Sequence, residues 1–113
     1  MDEYNIGIDT SGTKFYYLNG QLHREDGPAI EHADGTKKWY KNGKLHREDG
    51  PAVELANGIK YWYKNGVLHR EDGPAIEYPK GHKVWYLNGK YYSGNHYFTN
   101  ESWIRFVKTL IFS

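Results

Sequence analysis

Residues 35–57 read GTKKWYKNGKLHREDGPAVELAN, and the chain carries this 23-residue stretch again, little changed, on both sides of it. Residues 12–34 are GTKFYYLNGQLHREDGPAIEHAD, residues 58–80 are GIKYWYKNGVLHREDGPAIEYPK, and residues 81–100 open a further copy, GHKVWYLNGK, that then departs. The heptapeptide HREDGPA stands unchanged at 23–29, 46–52 and 69–75. A fixed period of this length, without insertions, marks a chain built by stacking one supersecondary unit on the next.

Each unit carries its own turn chemistry. Asn-Gly recurs at 19–20, 42–43, 65–66 and 88–89, and it is the strongest short hairpin signal because a type I′ turn needs positive φ at both central residues. Asp-Gly-Pro at 26–28, 49–51 and 72–74 marks a second turn, after which proline restricts the backbone that opens the next strand. A third glycine closes the unit, as in Asn57-Gly58. The segments between are short and rich in aromatic and β-branched residues, such as Lys60-Tyr61-Trp62-Tyr63-Lys64. The spacing predicts a mainly β, single-domain antiparallel meander with two strands per unit. An N-terminal strand in 1–11 precedes the units 12–34, 35–57 and 58–80 and the partial unit 81–100.

Loop length sets the register. A two-residue loop at Asn42-Gly43 places Tyr40 opposite Leu45 and Trp39 opposite His46. A two-residue loop at Asn57-Gly58 places Val53 opposite Trp62 and Ala52 opposite Tyr63. Side chains alternate along a strand, so this reading puts Trp, Val or Ile, and His on one face, and Tyr, Leu and Ala on the other. The periodicity changes at the end of the chain. Trp103, Phe106, Val107, Leu110 and Ile111 recur at helical spacing, predicting an amphipathic helix over 101–112 capped by Asn100 or Ser102. Two roles are open to it. It covers the last strand of the stack, or it makes a homo-oligomer interface through Trp103, Phe106, Leu110 and Ile111.

Composition narrows the function classes. Of 113 residues 17% are aromatic against 38% hydrophobic in all, so aromatics supply much of the core, at roughly 150–250 Å² buried by each. The net charge of +1 offers no long-range field to steer the chain onto nucleic acid or an anionic membrane. There is no cysteine, which removes disulfides and thiolate metal sites. Neither a secretory leader nor an apolar run of membrane-spanning length is recognisable. The expected location is cytoplasmic, with no membrane partner and no nucleic-acid partner.

His-Arg-Glu-Asp brings an imidazole, a guanidinium and two carboxylates into every unit. Acid–base catalysis needs different residues converging on one reacting atom, whereas this set recurs unchanged. Equivalent histidines two strands apart stand about 10 Å from each other at ~4.8 Å per strand, too far to share a zinc ion at ~2.0–2.1 Å. No catalytic residues, metal or cofactor are expected. The bland alternative is structural, with Asp and Gly forming the turn and Arg and Glu pairing along the edge. Lys14, Lys37, Lys60 and Lys83 form a column on the Trp face, either as a solvated strip that discourages edge pairing or, with Arg24, Arg47 and Arg70, as a surface for phosphates or an acidic protein. As a binding surface the central units are favoured, through Trp39, His46, Arg47, Trp62, His69 and Arg70. Charge reversal at Arg47 and Arg70 is expected to remove binding and leave the fold intact.

Trp-Tyr-Lys-Asn-Gly-Lys-x-His followed by a glycine and a short strand resembles the MORN repeat, a 23-residue β-hairpin unit. The likeness is greater to the variant with HREDGPA-type units in proteins of bacteriophages and giant viruses, and it covers residues 12 to about 92. It departs from the ordinary MORN pattern after the histidine, where Arg-Glu-Asp-Gly-Pro-Ala replaces Gly-x-Gly. MORN-like proteins are mostly scaffolds and interaction modules. The resemblance thus implies binding and a viral source, a phage first of all. The expected function is a non-enzymatic accessory protein that engages and blocks a host protein, such as a component of antiviral defence, in the host cytoplasm. A sponge for a phosphorylated nucleotide signal and a MORN-type structural or membrane-associated scaffold are the alternatives.

Overall fold

The computed structural model describes residues 1–94 and 97–112. Asn95 and His96 of the partial unit, Ser113 and the side chain of Phe112 lie outside the described residues. The strands are β1 Tyr4–Ile8, β2 Lys14–Leu18, β3 Gln21–Leu22, β4 Ile30–Glu31, β5 Lys37–Lys38, β6 Tyr40–Lys41, β7 Lys44–Leu45 and β8 Val53–Glu54. They continue with β9 Lys60–Tyr61, β10 Tyr63–Lys64, β11 Val67–Leu68, β12 Ile76–Glu77, β13 Lys83–Leu87 and β14 Lys90–Ser93, and the helix α1 spans Asn100–Phe112. The main sheet runs β1-β2-β4-β5-β8-β9-β12-β13-β14, every pairing antiparallel and in chain order. The architecture is a β-meander closed by one C-terminal helix.

Two strands per unit proves too simple. In the second and third units the first strand is interrupted at Trp39 and Trp62, and its second half leaves the main sheet to form the separate ladders β6-β7 and β10-β11. The Asn-Gly hairpins have the expected register, Tyr40 opposite Leu45 and Lys41 opposite Lys44, and the His46 N–H donates to the Trp39 carbonyl at 3.0 Å. Both turn residues are left-handed, with φ of 52° at Asn42 and 81° at Gly43. Each hairpin leans on the preceding unit, since Gly43 N–H donates to Leu22 O at 2.9 Å and Gly66 N–H to Leu45 O at 2.8 Å.

The other loop corrects the face assignment. Val53 pairs with Tyr61 and not with Trp62, and Glu54 pairs with Lys60. Leu55 N–H donates to Ile59 O and Gly58 N–H to Leu55 O, each at 2.9 Å. Only Gly58 is left-handed here, at φ 95°, so the connection is a three-residue loop of a type I turn followed by a left-handed glycine. A one-residue change of register moves every side chain to the opposite face. Ile30, Val53 and Ile76 are therefore buried on the face that carries Phe15, Lys38, Tyr61 and Val84. The tryptophans share the other face with Ala29, Ala52 and Ala75, each wholly buried. Trp62 N–H donates to Ala75 O at 2.7 Å, as Trp39 N–H does to Ala52 O. The lysine column is not bare. Lys37 stands between Glu31 and Glu54 in register, and Lys60 between Glu54 and Glu77.

Helix α1 begins one residue earlier than expected. Its cap is Thr99, whose Oγ1 accepts the Ser102 N–H at 3.0 Å, while Ser102 Oγ accepts the Thr99 N–H at 2.9 Å. This reciprocal arrangement satisfies two donors that the first turn leaves open. Trp103, Val107, Trp85 and Leu87 form a buried cluster with Tyr92, Phe98 and Phe106 packed against it. The interface expected at Trp103 is thereby corrected, because Trp103 is wholly buried within its own chain and Phe106 is half-buried beside it. Leu110 and Ile111 remain exposed. Among the described residues no helix is long and apolar enough to cross a membrane.

Candidate functional site

The HREDGPA segments line up along the tryptophan face, each folded around its arginine. Arg47 lies over the Trp39 ring, 3.9 Å from its centroid, and Arg70 lies over Trp62 and Arg24 over Tyr16 at the same distance. Arg70 Nε donates to Asp72 at 2.9 Å, and its Nη1 donates to Pro74 O at 3.1 Å and to Glu77 at 2.8 Å. Arg47 repeats the pattern with Pro51 O and Glu54 at 3.0 and 3.2 Å, and Asp49 3.4 Å away. The sequence alone pairs Arg with Glu along the edge and assigns Asp to the turn. The arginine partners are the glutamate of the following strand and, in addition, the aspartate two residues on. The glycine of Asp-Gly-Pro is needed for close approach rather than for its φ. A Cβ on Gly73 would stand 2.7 Å from Arg70 Cζ, and one on Gly50 3.0 Å from Arg47 Cζ.

The histidines join one unit to the next. His69 Nδ1 accepts the Asn88 N–H at 2.9 Å, His46 Nδ1 that of Asn65 at 3.0 Å, and His23 Nδ1 that of Asn42 at 2.9 Å. A nitrogen that accepts an N–H carries no proton, so the neutral ring has its hydrogen on Nε2. That hydrogen points to Glu71, Glu48 and Glu25, at 3.0, 2.7 and 2.7 Å. The bond from His46, with Lys64 nearby, holds the Glu48 carboxyl below the usual carboxylate range. A depressed carboxylate contributes stability above its unfolded pKa and loses it as pH falls through the folded value. At so exposed a residue the contribution is small.

These histidines lead to a direct test. Replacing His69, which is nearly buried, with leucine leaves the Asn88 N–H without an acceptor and is expected to cost about 1–3 kcal/mol. His69→Asn keeps an oxygen near the Nδ1 position and should lose less. Equal urea midpoints for the two variants would remove the inter-unit bond from the account.

Between successive loops run two equivalent grooves. The first, about 680 Å³, has Trp39 between the 24–28 loop and the 46–49 loop, and the second, about 520 Å³, has Trp62 between the 47–51 loop and the 69–72 loop. The candidate residues are thus brought together in two sets, with Trp39, His46 and Arg47 in the first and Arg47, Trp62, His69 and Arg70 in the second. Sequence reasoning missed the groove rim. Arg24, Lys41 and Arg47 give the first groove three cations against the four carboxylates of Glu25, Asp26, Glu48 and Asp49. The second likewise sets Arg47, Lys64 and Arg70 against Glu48, Asp49, Glu71 and Asp72. The arginine side chains are 18–25% exposed, whereas Asp26, Asp49 and Asp72 are 77–89% exposed. Solvent therefore meets the aspartates before the guanidiniums. The Glu-Asp pair inside the invariant heptapeptide was the available signal.

Arg47 and Arg70 also differ from the expectation that their charge is reversible at no structural cost. Each stacks on a ring and bonds a proline carbonyl, so a glutamate there would dismantle its loop. Among the described residues no group of three or more His, Asp or Glu side chains is placed to hold a metal ion.

Fold and site together define a β-meander with a helical cap and a repeated, acid-rimmed aromatic groove. No protein-family model, curated protein or solved structure matches the chain.

Proposed function

We propose that this protein is a non-enzymatic binding module, an accessory protein of the viral kind its MORN-like HREDGPA units resemble, which engages and blocks a host protein. The observation that carries this reading is the pair of equivalent grooves, each with more carboxylates than cations and with its aspartates standing outside its arginines. Such a rim suits lysine and arginine side chains of a protein partner, while the aromatic floor receives their aliphatic stems. It disfavours a phosphorylated nucleotide, because the arginines that would bind phosphate already have carboxylate and carbonyl partners. Each unit adds two strands to the main sheet, so the grooves recur at about 10 Å. That is the reach of about three residues of polyproline II chain at ~3.1 Å per residue, whose three-residue turn returns the side chain to the same side. The partner segment is accordingly a polyproline II stretch with a basic residue at every third position.

The test is affinity purification from host cells with the wild-type chain and with Asp26→Asn, Asp49→Asn and Asp72→Asn combined. Asparagine keeps the side-chain oxygen that accepts from the arginine and removes the charge. The triple variant is expected to keep its fold and bind the recovered partner about tenfold or more weakly, and salt should weaken the wild-type complex. Undiminished binding by the folded triple variant would sink the groove assignment. Tight binding of a phosphorylated nucleotide by the wild-type chain, with no protein recovered, would replace the reading with the sponge.

A further inference from the structure

The two ends of the main sheet are finished differently. At the C-terminal end the ladder of β14 with β13 breaks register between Trp85 and Tyr86, β14 begins with exposed Lys90, and its Tyr92 packs against Trp103 of α1. These are devices that discourage strand addition. At the N-terminal end β1 has none of them. Tyr4-Asn5-Ile6-Gly7-Ile8 contains no charge and no proline, and it pairs with β2 over five consecutive residues without a bulge. Among the described residues no strand pairs with its outer side.

The hydrogen-bonding groups on that side follow from the ladder. Asp9 N–H donates to Thr13 O and Asn19 N–H to Glu3 O, so residues 3, 5, 7 and 9 bond inward and alternation turns the N–H and C=O of Tyr4, Ile6 and Ile8 outward. The same three side chains share one face and are 64–67% exposed. Inside the sheet the equivalent strand is never left open. Gly7 pairs with Phe15 as Ile30, one period later, pairs with Lys38, and the far side of Ile30 is taken by Phe15 of another strand.

We propose that the outer edge of β1 pairs antiparallel with β1 of a second copy of this chain. The strand is self-complementary about Ile6. A two-fold axis there sets Ile6 against Ile6 of the other copy and each Tyr4 against an Ile8, with all three positions hydrogen-bonded. Tyrosine opposite a β-branched residue is a favourable cross-strand pair. The same register brings Glu3 near Asp9 of the other copy, a repulsion that limits the affinity. One five-residue strand buries less than the ~1,200–2,000 Å² of a stable interface, so the dimer is weak and concentration-dependent. It joins two sheets edge to edge with their grooves on one continuous face, doubling the number of grooves offered to a repetitive partner.

Sedimentation velocity over a concentration series tests this, on the wild-type chain and on Ile6→Pro, Ile6→Lys and Glu3→Gln. Proline removes only the outward N–H at this position and leaves the bonds to β2 in place, while lysine sets two charges at the axis. The wild type should show a reversible monomer–dimer equilibrium, with the Tyr4, Ile6 and Ile8 amides gaining exchange protection as concentration rises. Ile6→Pro and Ile6→Lys should be monomers of unchanged melting temperature, and Glu3→Gln should dimerise several-fold more tightly. A wild type monomeric at every concentration overturns the proposal. So does dimerisation that persists in both Ile6 variants, and association unmoved by Glu3→Gln overturns the register.

Discussion

Trp103→Ala is expected to cost about 3–5 kcal/mol, the largest loss from any single truncation in this chain. Trp103 is wholly buried. Its ring lies 5.3 Å from Trp85, 4.9 Å from Phe98, 5.7 Å from Tyr92 and 5.8 Å from Phe106, centroid to centroid. Its Nε1 donates to Arg70 O at 2.9 Å. Alanine would open a cavity among four aromatic rings and leave that carbonyl without its donor. The indole also takes the place that arginine fills in the other units. Arg24, Arg47 and Arg70 lie over Tyr16, Trp39 and Trp62, but the residue one period after Arg70 is Ser93, and Trp103 lies beside Trp85 instead. Removing it uncovers the end of the sheet as well as the helix. At about 4–8 °C per kcal/mol for a domain of this size, the midpoint should fall by well over 10 °C in a thermal melt. Ile111→Asp, on the exposed side of the same helix, should change it little. Similar melting temperatures for the two variants would show that α1 is not the cap.

Gly43→Val should be the next most damaging, at about 1–3 kcal/mol, from strain alone. Gly43 has φ 81°, where a β-branched residue is strained. A Cβ there would make only ordinary contact, 3.7 Å from Gln21 of the preceding unit, so the cost lies in the backbone. The Gly43 N–H holds this hairpin to Leu22 O, so a distorted turn weakens the junction between units as well as the turn. Lys44→Val, at the next position, keeps an ordinary strand backbone and is expected to lose little. Chemical denaturation of both variants decides it, and coincident curves would remove the turn assignment.

The two positions also show how far the sequence reaches. Asn42-Gly43 was legible because a type I′ turn is a local demand on two φ angles, which few dipeptides meet. The 23-residue period, the hairpins and the 3.6-residue pattern of α1 are of the same kind, settled within a few residues. Asn57-Gly58 has the same composition and a different outcome. Asn57 keeps negative φ and only Gly58 turns left-handed, so the loop holds three residues. The dipeptide suits either geometry, and pairing across the sheet, which buries Ile30, Val53 and Ile76 together, made the choice. The candidate site divides in the same way. Its residue types were evident from the repeated heptapeptide, but their roles were not. The bond from the Asn65 N–H to His46, the stacking of Arg47 on Trp39 and the bond from the Trp103 indole to the Arg70 carbonyl link residues 19, 8 and 33 positions apart. Turn chemistry acts between neighbours and is written in the order of residues. Contacts over such separations exist only after the strands have stacked, and stacking turned the carboxylates outward and the guanidiniums in.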